Sequence, residues 1–284
     1  MLTPFQYEFF VRGLVAATLV GGLCGLIGVY IVLRRMAYIG HGLSHAIFGG
    51  AVASYVMSIN FFIGASVWGF IAAMLINLTA RKHKIGADAA IGIVTTSSFA
   101  FGVALISRFK SFTRSFDAAL FGNILGVTNI DLIAILAVGI TTVIVVFIGY
   151  KYLLFTTFEP EVAQFYGVPT GWIDTMFALI LAAVIVVSLQ VLGVTMIAAS
   201  IVIPPIAARL LTNDFNLMVL FSTIIGAFCG LGGLYVSFYI DVSSGPSVVL
   251  FSATVFFVAW IYSSALEKLR SLRWRPSSQR HSGS

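Results

Sequence analysis

The segment 130–149, IDLIAILAVGITTVIVVFIG, holds a single charged residue in twenty positions. Coiled as a helix at about 1.5 Å per residue it extends about 30 Å, the thickness of the hydrocarbon core of a bilayer. The same pattern recurs outward along the chain. Of the 284 residues 60% are hydrophobic and 9% charged, whereas a soluble domain carries about 25% charged residues. Apolar runs lie at 8–33, 38–57, 61–79, 88–107, 130–149, 171–190, 193–211, 215–239 and 246–266. A spanning segment must satisfy its backbone internally, and alternating ten-residue strands are absent, so helices are expected in preference to a membrane β-barrel. The expected fold is an all-α polytopic transmembrane helical bundle of about 8–9 spans. Residues 1–267 form the membrane domain and 268–284 a basic, disordered tail rich in Arg and Ser.

Lys and Arg orient the bundle. With nine spans, twelve of them fall on one side: Arg34, Arg35, Arg81, Lys82, Lys84, Lys151, Arg209 and the basic residues of the tail. Four, Arg12, Arg108, Lys110 and Arg114, fall on the other. The richer side is cytoplasmic, which places the tail inside and the N-terminus outside. Topology thus accounts for the net charge of +6, and with no basic stripe or aromatic platform beside it nucleic acid is not an expected partner. Cys24 and Cys229 lie in apolar runs and suit small buried hydrophobes. The first helix lacks a basic flank and an A-x-A-like cleavage site, so it is expected to be retained. The longest polar interruption, 108–129, is expected to hold a short re-entrant or interfacial helix around FDAALFGNILG, tolerable at membrane depth only where protein or water covers it.

Two imidazoles stand out in RRMAYIGHGLSHAIFGG, residues 34–50. His41 and His45 are four apart, so on a helix both project from one face about 5–6 Å apart and can share one metal ion. Gly40, Gly42, Gly49 and Gly50 surround them, allowing either a close-packed neighbour or an opened helix. Ionisable groups inside a membrane mark function by default. The spacing matches the H-E-x-x-H zinc proteases, but position 42 is Gly where hydrolysis needs a general base. No third ligand offers itself: Asp88 reads as a helix cap and Asp241 as part of an outer turn. Two ligands from one chain make a labile site, suited to a metal in transit, and a symmetric dimer would bring four imidazoles together. Neutral imidazole binds metal and imidazolium does not, so transport should weaken as the pair protonates.

The chain has no G-x-x-x-x-G-K-[ST] loop and cannot hydrolyse ATP alone. Energy must come from an ion gradient or a separate ATPase. The cytoplasmic loop FTTFEPEVAQFYGVPTGW, 155–172, is the natural docking element for the second. Pro160 suits a first helical turn, Glu159 and Glu161 favour a helix N-terminus, and Gly167 with Pro169 ends the helix. Val162, Phe165 and Tyr166 would be left half exposed unless another protein covers them. Pro204 and Pro205 would bend their helix, whether in a gate or in a static span.

Several blocks occur in order along nearly the whole chain: RRMAYIGHGLSHA (34–46), ADAAIGIVTTSSFAFGVALIS (87–107), LFGNILGVTNIDL (120–132), FEPEVAQFYGVP (158–169), VVSLQVLGVTMIAASIVIPPIAARLLT (186–212) and SGPSVVL (244–250). Together they resemble the ABC-3 group, the membrane permeases of ATP-binding-cassette importers for zinc, manganese and iron. The resemblance implies a homodimeric, multi-pass permease of the inner (cytoplasmic) membrane. It further implies a cytoplasmic ABC ATPase partner, an extracytoplasmic metal-binding protein, no tightly bound cofactor and a transported divalent metal. It makes FEPEVAQFYGVP the short cytoplasmic coupling helix, with Glu159, Glu161, Ala163 and Gly167 at matching positions. The family usually carries G-D-x-x-x-H in the first block, so His41 replaces a carboxylate and His45 matches the histidine. Imidazole in place of carboxylate shifts the expected metal towards zinc over manganese or iron. The competing expectation is an ion-gradient-driven secondary transporter using His41 and His45 as a proton and metal relay, with a membrane metalloprotease third.

Overall fold

The computed structural model describes residues 3–80, 86–109 and 120–273. Among them every regular element is a helix. The long ones are α1 (Glu8–Leu33), α2 (Ala37–Val56), α3 (Phe61–Ala80), α4 (Ala87–Arg108) and α5 (Asn129–Ile148). The short α6 (Tyr150–Phe158) and α7 (Pro160–Phe165) follow, then α8 (Thr170–Leu192), α9 (Ile197–Leu211), α10 (Phe215–Ile240) and α11 (Ser244–Arg273). Seven, namely α1, α3, α4, α5, α8, α10 and α11, are long and apolar enough to cross a membrane. Of the two remaining apolar runs, α2 is diluted by its histidines and glycines, and α9 has only 15 residues.

α1 is the spine. It packs along α10, α9, α8 and α5, and it buries Val20, Cys24, Ile27 and Tyr30. Lipid is as apolar as leucine, so close backbone approach has to hold such helices together. On α1, Gly21 meets the backbone of Gly226, and Gly25 that of Ser222, whose hydroxyl donates to the Gly25 carbonyl at 2.6 Å. α2 packs against α3, α4, α8 and α9. Cys24 and Cys229 are both buried and free.

Three local expectations are revised. α9 starts at Ile197, not 193, because Gly193 adopts φ +75° with the Leu120–Gly122 backbone pressed against it, ending α8 abruptly. That irregular stretch is covered by protein: the Asn123 amide donates to the Gln190 carbonyl at 3.0 Å and the Thr195 hydroxyl to the Leu120 carbonyl at 2.8 Å. The remainder of the expected re-entrant helix, 116–119, lies outside the described residues. Asp88 is not the cap of α4; Gly86 holds the N-cap and Asp88 lies in the first turn, where its charge favours the helix dipole. α11 continues through Arg273, past the boundary expected at 268, and 274–284 fall outside the described residues.

Candidate functional site

α2 begins directly after a tight turn. Arg35 takes φ +56°, the Met36 amide donates to the Ile31 carbonyl at 3.0 Å, and the helix then runs unbroken to Val56. Both histidines therefore stand on its early turns, with ring centroids 4.6 Å apart and planes at 66°. At that separation one nitrogen from each ring can turn to a common ion at about 2.0–2.1 Å. His45 is half-buried with its ring edge-on to Phe99 of α4, 5.1 Å between centroids, while His41 is exposed. Tyr38, one turn earlier, is 71% exposed, so among the described residues this face of α2 is only partly covered.

The neighbouring flank of α2, towards α4, is packed hard. A side chain at Gly42 would strike Ile91 and come within 2.7 Å of the Thr95 hydroxyl, and one at Gly49 would strike the Ser98 carbonyl. Of the two roles open to these glycines, close approach of α4 is the one observed. Among the described residues no group of three or more His, Cys, Asp or Glu side chains could hold a metal. His41 and His45 thus stand together without a third such side chain beside them among the described residues.

α7 sits elsewhere, after α6. The short helix expected within the 155–172 loop is α7, which starts at Pro160 as expected; the Pro160 ring cannot continue α6 and restarts the chain as the first residue of α7. Glu159 occupies the N-cap, Glu161 the first turn, and Gly167 ends the segment at φ +79°. Ala163 is wholly buried while Phe165 is 87% and Tyr166 73% exposed, so α7 turns its small residue inward and its aromatic rings outward. Glu159, Glu161 and Gly167 are exposed beside them.

One functional-looking residue was counted from sequence only as a topological charge. Arg34, at the C-cap of α1, donates to Asp174 Oδ1 at 2.8 Å, to Thr156 Oγ1 at 2.9 Å and to Thr157 Oγ1 at 3.0 Å. Its guanidinium also lies 4.8 Å above the Phe177 ring. A cavity of about 300 Å³ adjoins it, lined by Met36, Ile39, Asn77, Pro160 and Asp174 among others.

Comparison with known proteins gives the same architecture a lineage. Residues 6–263 match the model of the ABC 3 transport family. Manganese transport system membrane protein MntC of Halalkalibacterium halodurans is 37% identical over 258 residues, 91% of this chain and 88% of that protein. Chelated iron transport system membrane protein YfeD of Yersinia pestis is 32% identical, over 92% of this chain and 87% of that one. The solved structure of PsaBC from Streptococcus pneumoniae in complex with Fab aligns with a TM-score of 0.82 at 33% identity, covering 91% of this chain and 92% of that chain. By a match that runs almost end to end, this multi-pass membrane protein belongs to the ABC 3 transport family.

Proposed function

We propose that the chain is the permease subunit of an ATP-binding-cassette importer of divalent transition metals in the cytoplasmic membrane. The observation that carries this is the His41–His45 pair: two imidazoles 4.6 Å apart between centroids on a face of α2 that the described residues leave partly open, in a chain related over its length to manganese and chelated-iron transport proteins. Two ring nitrogens hold an ion briefly, and a face bearing them is costly against lipid, so a second copy of the chain is the natural cover. α7 is the coupling helix. Glu159, Glu161, Ala163 and Gly167 shape it, and its exposed aromatic rings meet a cytoplasmic ABC ATPase, while an extracytoplasmic binding protein delivers the metal. The relatives' names favour manganese or chelated iron; the second imidazole, where the family usually has a carboxylate, favours zinc.

Two contacts support nine crossings. Arg34 at the end of α1 touches α6, and Tyr150 donates to Asn216 Oδ1 at 2.7 Å, so the ends of α1, α5 and α9 share one side. This supports reading α2 and α9 as crossings too, beside the seven long apolar helices.

The test is metal uptake by the permease reconstituted with its ATPase. Zinc or manganese should enter only with ATP, and His41→Ala and His45→Ala should each lower uptake at least about tenfold, with the complex still assembled. Uptake by the permease alone, driven by a proton gradient, would replace this function with secondary transport.

A further inference from the structure

Arg34 ties together the elements that transport has to link. Thr156 and Thr157 form the last turn of α6, separated from α7 by Phe158 and Glu159, and Asp174 and Phe177 lie in the first turns of α8, just past it. The guanidinium therefore grips both flanks of α7. Its acceptors are held in turn: the Thr157 hydroxyl donates to the Leu153 carbonyl at 2.6 Å and that of Thr156 to the Tyr152 carbonyl at 2.9 Å. The Arg34 side chain is only 8% exposed, and a planar fork that engages several acceptors away from water is stiff. On its other side the chain passes through the turn at Arg35 and Met36 into α2, and His41 follows about one helical turn after the start of α2 at Ala37.

Between the first turn of α2 and α7 there is a void where close packing would otherwise serve. Met36 and Ile39 line one part of the 300 Å³ cavity, and Pro160 with Thr156 and Thr157 another. Close-packed atoms pass a displacement on directly, whereas a gap absorbs it. Movement of α7 thus has a continuous route to α2 through Thr156, Thr157, Asp174 and Arg34. We propose that Arg34 is a positioning residue that couples displacement of α7 to the helix carrying His41 and His45. This rests on the assignment of α7 as the ATPase-docking helix and of the histidines as the cargo site.

The test uses the full complex with its ATPase in proteoliposomes and reads metal ions imported per ATP hydrolysed, together with co-purification of the ATPase and the melting temperature. Arg34→Lys keeps the charge and loses the fork. It should leave assembly and ATP hydrolysis in place while the ratio falls about tenfold, within the range by which residues along a coupling route act. Asp174→Asn should lower it less, because the two threonine contacts remain, and Arg34→Asp combined with Asp174→Arg should restore part of the loss. Should Arg34→Lys fail to assemble, Thr157→Val removes one acceptor only, and its ratio decides. A ratio equal to wild type, with or without a lower melting temperature, would assign Arg34 to stability alone and overturn the proposal. A wild-type complex that imports no metal with ATP would instead overturn the assignment of function on which it rests.

Discussion

At position 42 a hydrogen stands where the zinc-protease pattern has a glutamate side chain, and packing explains it. The site faces Ile91 and the Thr95 hydroxyl so closely that even a methyl group collides. Gly42→Ala should therefore push α2 off α4 and destabilise the protein by about 1–3 kcal/mol, the usual cost of overpacking. A thermal melt of the detergent-solubilised chain reads this, and an unchanged midpoint would mean that the two helices part easily. Position 41 is different, since its side chain is exposed and can be exchanged without a clash. His41→Asp keeps a ligand and replaces borderline nitrogen by hard oxygen, so manganese should compete better against zinc in an uptake assay than it does in the wild type. A selectivity that stays put would remove position 41 from metal choice.

Among the elements, α7 shows most clearly what local chemistry decides. Its start at Pro160, its capping Glu159 and its stop at Gly167 are set within ten residues, and all were legible in the sequence. Nothing lies within 4 Å of a side chain built at Gly167, so Gly167→Ala should cost only the conformational penalty of the left-handed region, about 1–2 kcal/mol. The outward rings carry the functional prediction. Phe165→Ala with Tyr166→Ala should abolish co-purification of the ATPase and leave the melting temperature of the permease near wild type, because exposed positions contribute little to folding. A retained ATPase would remove these rings from the docking surface. The nine apolar runs were legible for a similar reason, since hydrophobic length is a property of each segment by itself. The Arg34 clamp was not, as its partners lie 122 to 140 residues away and Asp174 looks like any polar residue at a helix start. The gap between 193 and Ile197 was hidden as well, because it depends on Gly193 meeting the backbone of Leu120 and Phe121.

For the whole molecule the crossing number is the property on which orientation and sidedness depend, and contacts constrain it more tightly than hydropathy does. If α2 did not cross, α3 would start on the side where α1 ends, and α5 would then finish opposite Arg34, away from the Thr156 and Thr157 that Arg34 holds. If α9 did not cross, α10 would start opposite α6, yet Phe158 and Phe215 lie 6.0 Å apart between ring centroids and Tyr150 reaches Asn216. Nine crossings satisfy both pairs and also keep the basic loops together, as the positive-inside rule asks. The two native thiols are buried, so cysteines introduced on the surface will be the reactive ones. In intact cells an impermeant thiol reagent should label Met57→Cys, 68% exposed in the wild type, and Val242→Cys, both of which nine crossings would put on the outer side. It should reach Asn213→Cys, in the exposed turn between α9 and α10, only after the cells are opened. Labelling of Asn213→Cys from outside would leave eight crossings at most, place α10 across the membrane from α6 in conflict with the Tyr150–Asn216 contact, and overturn the proposed nine.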